Sequence, residues 1–353
     1  MKRLAVVVFN LGGPDQLSSV RPFLFNLFND RAIINLPGFI RTPLAKFISW
    51  RRAPIAQAIY QNIGGKSPLL EETEAQAACL SKKIKHLADE VQVFISMRYW
   101  HPLSESTALS VKTFNADKII LLPLYPQFSS TTTGSSLKDW KLAANAVGLK
   151  KPTFGVCCYP CEDNYIKGLT LLVKTAFVSA EEQVGDRTAV RILFSAHGLP
   201  KKIVKNGDPY QWQIEKTAMA VVNSLKKTLI RKSFDWAVCY QSRVGPLEWI
   251  EPSLEFELSR AGKDKVGVVV VPIAFVSEHS ETLVELDIEY REKADIFNIP
   301  AYIRVPALSI EENFMNGLAK IIETSVKSTD EVYCQAEQHK CPPQHSCCPL
   351  ERI

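Results

Sequence analysis

Two stretches of this chain follow one plan. DKIILLPLYPQFSSTTTGSS at 117–136 and DKVGVVVVPIAFVSEHSETL at 264–283 each hold an apolar run with an internal proline, an aromatic residue and a polar turn that opens onto a helical pattern. VVVFNLGGP at 6–14 and ILFSAHGLP at 192–200 form a second matching pair. Around them, short β-type runs alternate with helical patterns: LAVVVFN, VQVFISMRY, KIILLPLYP and PTFGVCCYP in the first half, then VRILFSAHG, FDWAVCYQS, VGVVVVPIAFV and YIRVPA in the second. Strands that alternate with helices imply βαβ units and parallel sheets. The expected fold is therefore α/β, with two similar Rossmann-like, doubly wound domains whose strand ends face a central cleft. The expected boundaries are 1–165 for the first domain, 166–328 for the second, and 329–353 for a tail rich in Cys, His, Gln and Pro.

Several function classes drop out. A formal charge of +5 over 353 residues, with no long Lys/Arg run, argues against nucleic acid as a partner. The apolar segment at 4–9 is shorter than the core of a signal peptide, and the run at 266–276 is too short to span a bilayer. A cytoplasmic or peripheral protein is expected. IGGKSP ends like a phosphate loop, but Tyr60 stands where the first glycine belongs, and NLGGPD lacks dinucleotide-loop spacing.

Chemistry concentrates at two predicted strand ends. His197 closes the run FSAH just before Gly-Leu-Pro. In FVSEHSETLVELDIEY, Glu278, His279, Glu281, Glu285 and Glu289 crowd the segment after another strand, and α-helical spacing puts Glu281, Glu285 and Glu289 on one acidic stripe. Such a stripe is commonly a solvated face, and a lone histidine is commonly structural. Their adjacency at strand ends favours function, because imidazole with carboxylate can take protons near neutral pH or hold a divalent metal.

The nine cysteines are clustered, with Cys157, Cys158 and Cys161 together and Cys334, Cys341, Cys347 and Cys348 in the tail. Without an export signal, such clusters point to metal or iron–sulfur ligation rather than disulfides.

NLGGPD, RRAPIAQAIYQNIGGKSP, MRYWHPL, YPQFSSTTTGSS, FSAHGLP, NGDPY, YQSRVGPLEW and VPIAFVSEHSETLVELDIEY together resemble the ferrochelatase family, from about residue 3 to 325. The resemblance implies a chelatase-like fold and insertion of Fe²⁺ into protoporphyrin IX, the final step of haem biosynthesis, with no cofactor needed for the chemistry. It implies His197 and Glu281 as the catalytic pair and the guides of the Fe²⁺ substrate, leaving open which takes protons. Glu278, His279, Glu285 and Glu289 would line a proton or metal path. Leu11, Tyr60, Tyr125, Trp249 and Phe275 would contact the macrocycle, Arg98 and Tyr99 its far face, and Arg52 and Ser67 the propionates. Leu11 stands where animal members carry Met. Residues 35–60, which mix basic and apolar side chains, would form a lip suited to the inner membrane surface.

For the tail, the resemblance implies a [2Fe–2S] cluster on Cys334, Cys341 and Cys347 or Cys348. Animal members take the fourth ligand just before STTGSS, where this chain has Ser130, so Cys158 is the expected fourth, as in cluster-bearing bacterial relatives. A zinc site using His339 or His345 is the rival. A coproporphyrin substrate, a non-catalytic tetrapyrrole or iron carrier, and monomer or homodimer all stay open.

Overall fold

The protein is described by a computed structural model covering residues 1–353 except 186–187, 230–233, 244, 246, 329–331, 335–340, 348 and 350–353, with 332 and 333 as backbone only. It forms two compact units, Met1–Cys158 with Leu318–Lys340 and Pro349–Ile353, and Tyr159–Gly317 with Cys341–Cys348. The helix Glu312–Lys327 begins in the second unit and ends in the first.

The strands are β1 (Arg3–Asn10), β2 (Glu90–Met97), β3 (Lys118–Pro123), β4 (Thr153–Val156), β5 (Val190–His197), β6 (Asp235–Gln241), β7 (Gly267–Pro272), β8 (Tyr302–Arg304) and β9 (Val332–Tyr333). The first sheet runs β2-β1-β3-β4-β9 and the second β6-β5-β7-β8, with every pairing parallel. All eight predicted runs are strands, and two parallel sheets flanked by helices bear out the α/β expectation. Because parallel strands are covered on both faces, they read as unbroken apolar runs. β7 is buried throughout, and β5 is buried up to His197.

In the second unit, Leu193, Val268 and Val270 pack with Leu254 and Leu258 on one side of the core and with Leu286 and Tyr290 from the segment after β7. In the first, Val7, Phe9, Ile119 and Leu121 pack against Trp140 and Val111. Each sheet has one point where successive connections leave in opposite directions, between β1 and β3 and between β5 and β7. A crevice opens at such a point beyond the carboxyl ends of the strands. His197 and the segment after Pro272 stand at the second of these.

Candidate active site

His197 ends β5, and Gly198 follows because a side chain there would strike the carbonyl oxygen of Gln241 at 2.9 Å and the Trp249 ring at 3.2 Å. The close approach lets Gly198 N donate to Gln241 O at 2.8 Å, which extends the β5–β6 ladder past His197. His197 Nδ1 lies 2.7 Å from Glu281 Oε2. The imidazole remains 43% exposed and the Glu281 side chain 24%, so the pair is open to a ligand. Burial pulls the His197 pKa down, but the charge and hydrogen bond of Glu281 outweigh it, and the net shift is upward. Burial likewise opposes ionisation of Glu281, yet His197 holds its carboxyl well below the usual range. An ionised Glu281 accepts the Nδ1 proton, which leaves Nε2 as the basic atom of the ring.

The segment from Glu281 to Glu289 is a π-helix, where the sequence had indicated an α-helix. Tyr290 N donates to Glu285 O, five residues back. π-helical turns are rare and recur at functional sites. Ser242, just past β6, joins the two inner acids. Its N–H donates to Glu285 Oε1 at 2.8 Å, and its hydroxyl lies 2.5 Å from Glu285 Oε2 and 3.1 Å from Glu281 Oε2. Gln241 Nε2 adds bonds to Glu281 O at 3.3 Å and Glu285 Oε2 at 3.2 Å, while its Oε1 accepts from Ser195. Burial first, then the Glu281 charge, push the Glu285 pKa up to about 6. The result is a continuous chain from His197 through Glu281 and Ser242 to Glu285.

The other acids of this segment stand apart. Glu278 is engaged by Arg304 at 2.5 Å and by the Ala307 N–H at 2.9 Å, and Glu289 is exposed. His279 is buried, with Nδ1 3.2 Å from Ser277 O and its ring 4.5 Å from that of Phe275. Burial keeps its pKa below the usual value. Trp249 has a buried indole N–H with no partner among the described residues.

In the first unit, Gly12 adopts φ +83°, and a side chain there would meet Trp100 N at 2.9 Å. The tight turn after β1 carries Leu11, which packs beside Tyr60 and Tyr99. Arg98 Nη2 lies 3.0 Å from Asp30 Oδ2 and Nη1 3.4 Å from Asp139, while Nε donates to Ser135 Oγ at 2.8 Å. The cost of burying Arg98 is thus met inside the protein. Tyr99 OH also donates to Asp30 at 2.8 Å. The Tyr125 hydroxyl is buried beside Ser136. Arg52 stacks over Phe28, and Ser67 is buried, its Oγ accepting from Leu69 N at 3.3 Å.

Cys158 Sγ and Cys334 Sγ lie 3.7 Å apart. Cys341 Sγ accepts from Gln213 Nε2 at 3.3 Å, and Cys347 Sγ is 3.4 Å from Asn206 O. Cys348 and His339 lie outside the described residues; the His345 ring lies tilted beside that of Trp212, centroids 5.7 Å apart. Among the described residues, no three His, Cys, Asp or Glu side chains converge on one metal position. No helix among them is long and apolar enough to cross a membrane.

Sequence reasoning missed Ser242, Gln241 and Arg304. The stretch YQSRVG carried the only signal, a polar pair closing a strand next to that of His197.

Doubly wound parallel sheets with an imidazole–carboxylate pair at a switch point define a protein of chelatase architecture. The same fold occurs in the solved structure of SirB from Bacillus subtilis with Fe³⁺, at a TM-score of 0.51 and 11% identity, covering 92% of this chain and 96% of that one. The chain belongs to the ferrochelatase family, whose profile matches residues 3–326. Ferrochelatase of Rickettsia bellii is 49% identical over 98% of this chain and 95% of its own length. That of Caulobacter vibrioides is 49% identical over 99% and 97%, and that of Pelagibacter ubique 45% over 96% and 98%. The chain is accordingly a porphyrin metal chelatase, a ferro-lyase of haem biosynthesis.

Proposed function

We propose that the porphyrin is protoporphyrin IX and that His197 takes its two pyrrole protons in turn, with Glu281 as the coupled carboxylate. The His197–Glu281 contact carries the proton-transfer part of this reading. Metallation releases two protons while Fe²⁺ sheds water ligands, so the site needs a base whose protonated form is stabilised and donors that hold iron loosely. Nε2 of His197 accepts a proton, and the ionised Glu281 beside Nδ1 stabilises the imidazolium. The proton then leaves through Glu281, whose protonated oxygen donates to Ser242 Oγ while the Ser242 hydroxyl donates to Glu285. A hydroxyl donates one hydrogen and accepts another, so this geometry passes one proton at a time. Each turnover uses the path twice. The first pass leaves the imidazole protonated at Nε2, so the ring turns over to present that N–H to Glu281 and its bare nitrogen to the porphyrin before the second proton is taken. Glu289, exposed one turn further, would deliver protons to water. We leave Glu278 out of the path, because Arg304 occupies it.

Leu11 and Tyr60 in the first unit, and Trp249 and Phe275 in the second, are the apolar side chains we assign to macrocycle contact, and the Trp249 N–H has no partner among the described residues. Arg98 and Tyr99 would face the far side of the ring. Arg52 and Ser67 remain our propionate contacts. Anaerobic incubation with Fe²⁺ and either protoporphyrin IX or coproporphyrin, followed by visible spectroscopy, tests the substrate. Faster metallation of coproporphyrin would replace it.

Two readings rest on separate observations. In the lip, Phe39, Phe47, Trp50 and Ile55 are 80%, 54%, 58% and 66% exposed beside Arg41, Lys46 and Arg51, a basic and apolar mixture that favours an anionic membrane surface. In the tail region, the 3.7 Å between Cys158 and Cys334 matches the edge of a tetrahedron with metal–sulfur bonds of about 2.3 Å. These two thiols fit a [2Fe–2S] centre or a zinc site. The other ligands, from Cys341, Cys347 or Cys348, are not gathered among the described residues. Such a centre would tie the end of the chain to β4, and no step of metallation uses it.

A further inference from the structure

A π-helix gives up the tighter bonding of an α-helix, so something must hold it. In this chain the holder is the edge strand β8. Arg304, at its end, grips two points that bracket the active segment. Its Nε and Nη2 bond Asp287 Oδ1 and Oδ2 at 2.9 and 2.5 Å, a two-pronged contact inside the π-helix. Its Nη1 bonds Glu278 Oε1 at 2.5 Å, three residues before Glu281. The guanidinium is only 10% exposed. Two residues earlier, Tyr302 OH donates to Leu286 O at 2.7 Å. In an α-helix that carbonyl would receive the Tyr290 N–H, which here goes to Glu285 O. Tyr302 thus supplies a replacement donor at the point where the π-pattern removes one.

We propose that Arg304 and Tyr302 are positioning residues for metallation: they hold 281–289 in π-helical form, and so keep Glu281 against His197 and Glu285 against Ser242. A planar guanidinium can bond two carboxylates in fixed geometry, and an ammonium cannot. Without the clamp, the segment relaxes towards i→i+4 bonding, which narrows the turn and rotates both glutamates away from Ser242. The positioning role rests on the His197–Glu281 assignment; the conformational role does not.

The test combines R304Q, R304K and Y302F, each alone and in the E281Q background, with steady-state metallation kinetics and amide hydrogen exchange of residues 279–290. R304Q should lower kcat about 10- to 100-fold with KM for protoporphyrin within about twofold, since a small misplacement of reacting groups acts on the chemical step. R304K should not restore the rate, and Y302F should fall between R304Q and the unchanged protein. Exchange should rise in 279–290 and stay constant in the first unit. Adding R304Q to E281Q should cost nothing further. Unchanged exchange in folded R304Q, or a full extra loss on top of E281Q, would overturn the clamp. If R304Q does not fold, Y302F decides, and wild-type kcat with wild-type exchange would overturn the proposal. Full turnover by E281Q alone would remove the assignment beneath the positioning role, while raised exchange in R304Q would still support the conformational one.

Discussion

Glu285 accepts the backbone N–H of Ser242 at 2.8 Å, and Ser242 holds a left-handed backbone with φ +59° to offer it. A non-glycine residue in that region is strained unless its surroundings fix it. Here three bonds from Gln241 and Ser242 to one carboxylate do so.

The raised pKa of Glu285 gives the first prediction. A carboxyl whose folded pKa, about 6, lies above its ordinary 4.5 contributes stability that is complete below about pH 4.5 and is lost as pH rises through 6. E285Q removes that dependence. Urea unfolding should show the loss of stability between pH 4.5 and 6.5 flattened, relative to wild type, by on the order of 1 kcal/mol. An unchanged difference across that window would mean Glu285 titrates normally.

Asp30 gathers Arg98, Tyr99, Ser135 and the Ala32 N–H around one carboxylate. Burial pushes its pKa up, but the Ser135 bond, the Ala32 bond and the Arg98 charge together bring it below the ordinary value. Its contribution is therefore present above the ordinary carboxylate pKa and is lost as pH falls. D30N leaves Arg98 buried with a weakened partner and should cost about 3 kcal/mol in urea unfolding near pH 7. A loss below about 0.5 kcal/mol, typical of surface sites, would contradict this.

What could be read in advance follows from these cases. β1, β3, β5 and β7 were legible because parallel strands are apolar on both faces, and His197 because a polar residue ending such a run is conspicuous. β9 has two residues and no apolar run to announce it. The π-helix was illegible because the same spacing of Glu281 and Glu285 suits α-helical turns, and the choice is made by Arg304 and Tyr302 from a distant strand. Ser242 acts through a left-handed backbone that no local motif marks. Glu278 looked like its neighbours in sequence, and only its contact with Arg304 separates it from them.

At the lip, flotation with phosphatidylglycerol-rich vesicles at low salt should recover the protein with the vesicles. Replacing the exposed rings in F39E/W50E should weaken the association about 100-fold or more, as expected for losing two buried aromatic contacts and adding two negative charges. A wild-type protein that stays wholly in the unbound fraction would contradict the membrane reading.

Anaerobically purified protein should contain iron and acid-labile sulfide and show visible bands, and C158S or C334S should lose both. Zinc without sulfide, lost in the same variants, would select the zinc site. Metal-free protein that binds neither would contradict a thiolate centre at this pair.

The His197–Glu281 contact at 2.7 Å is the centre of the account, and the turnover of H197A measures it most directly. Under anaerobic conditions with Fe²⁺ and protoporphyrin IX, folded H197A should lose about 10²- to 10⁴-fold in kcat, the range for removing a general base, while porphyrin fluorescence quenching still reports binding. Turnover within a few-fold of wild type in folded H197A would place the proton acceptor elsewhere.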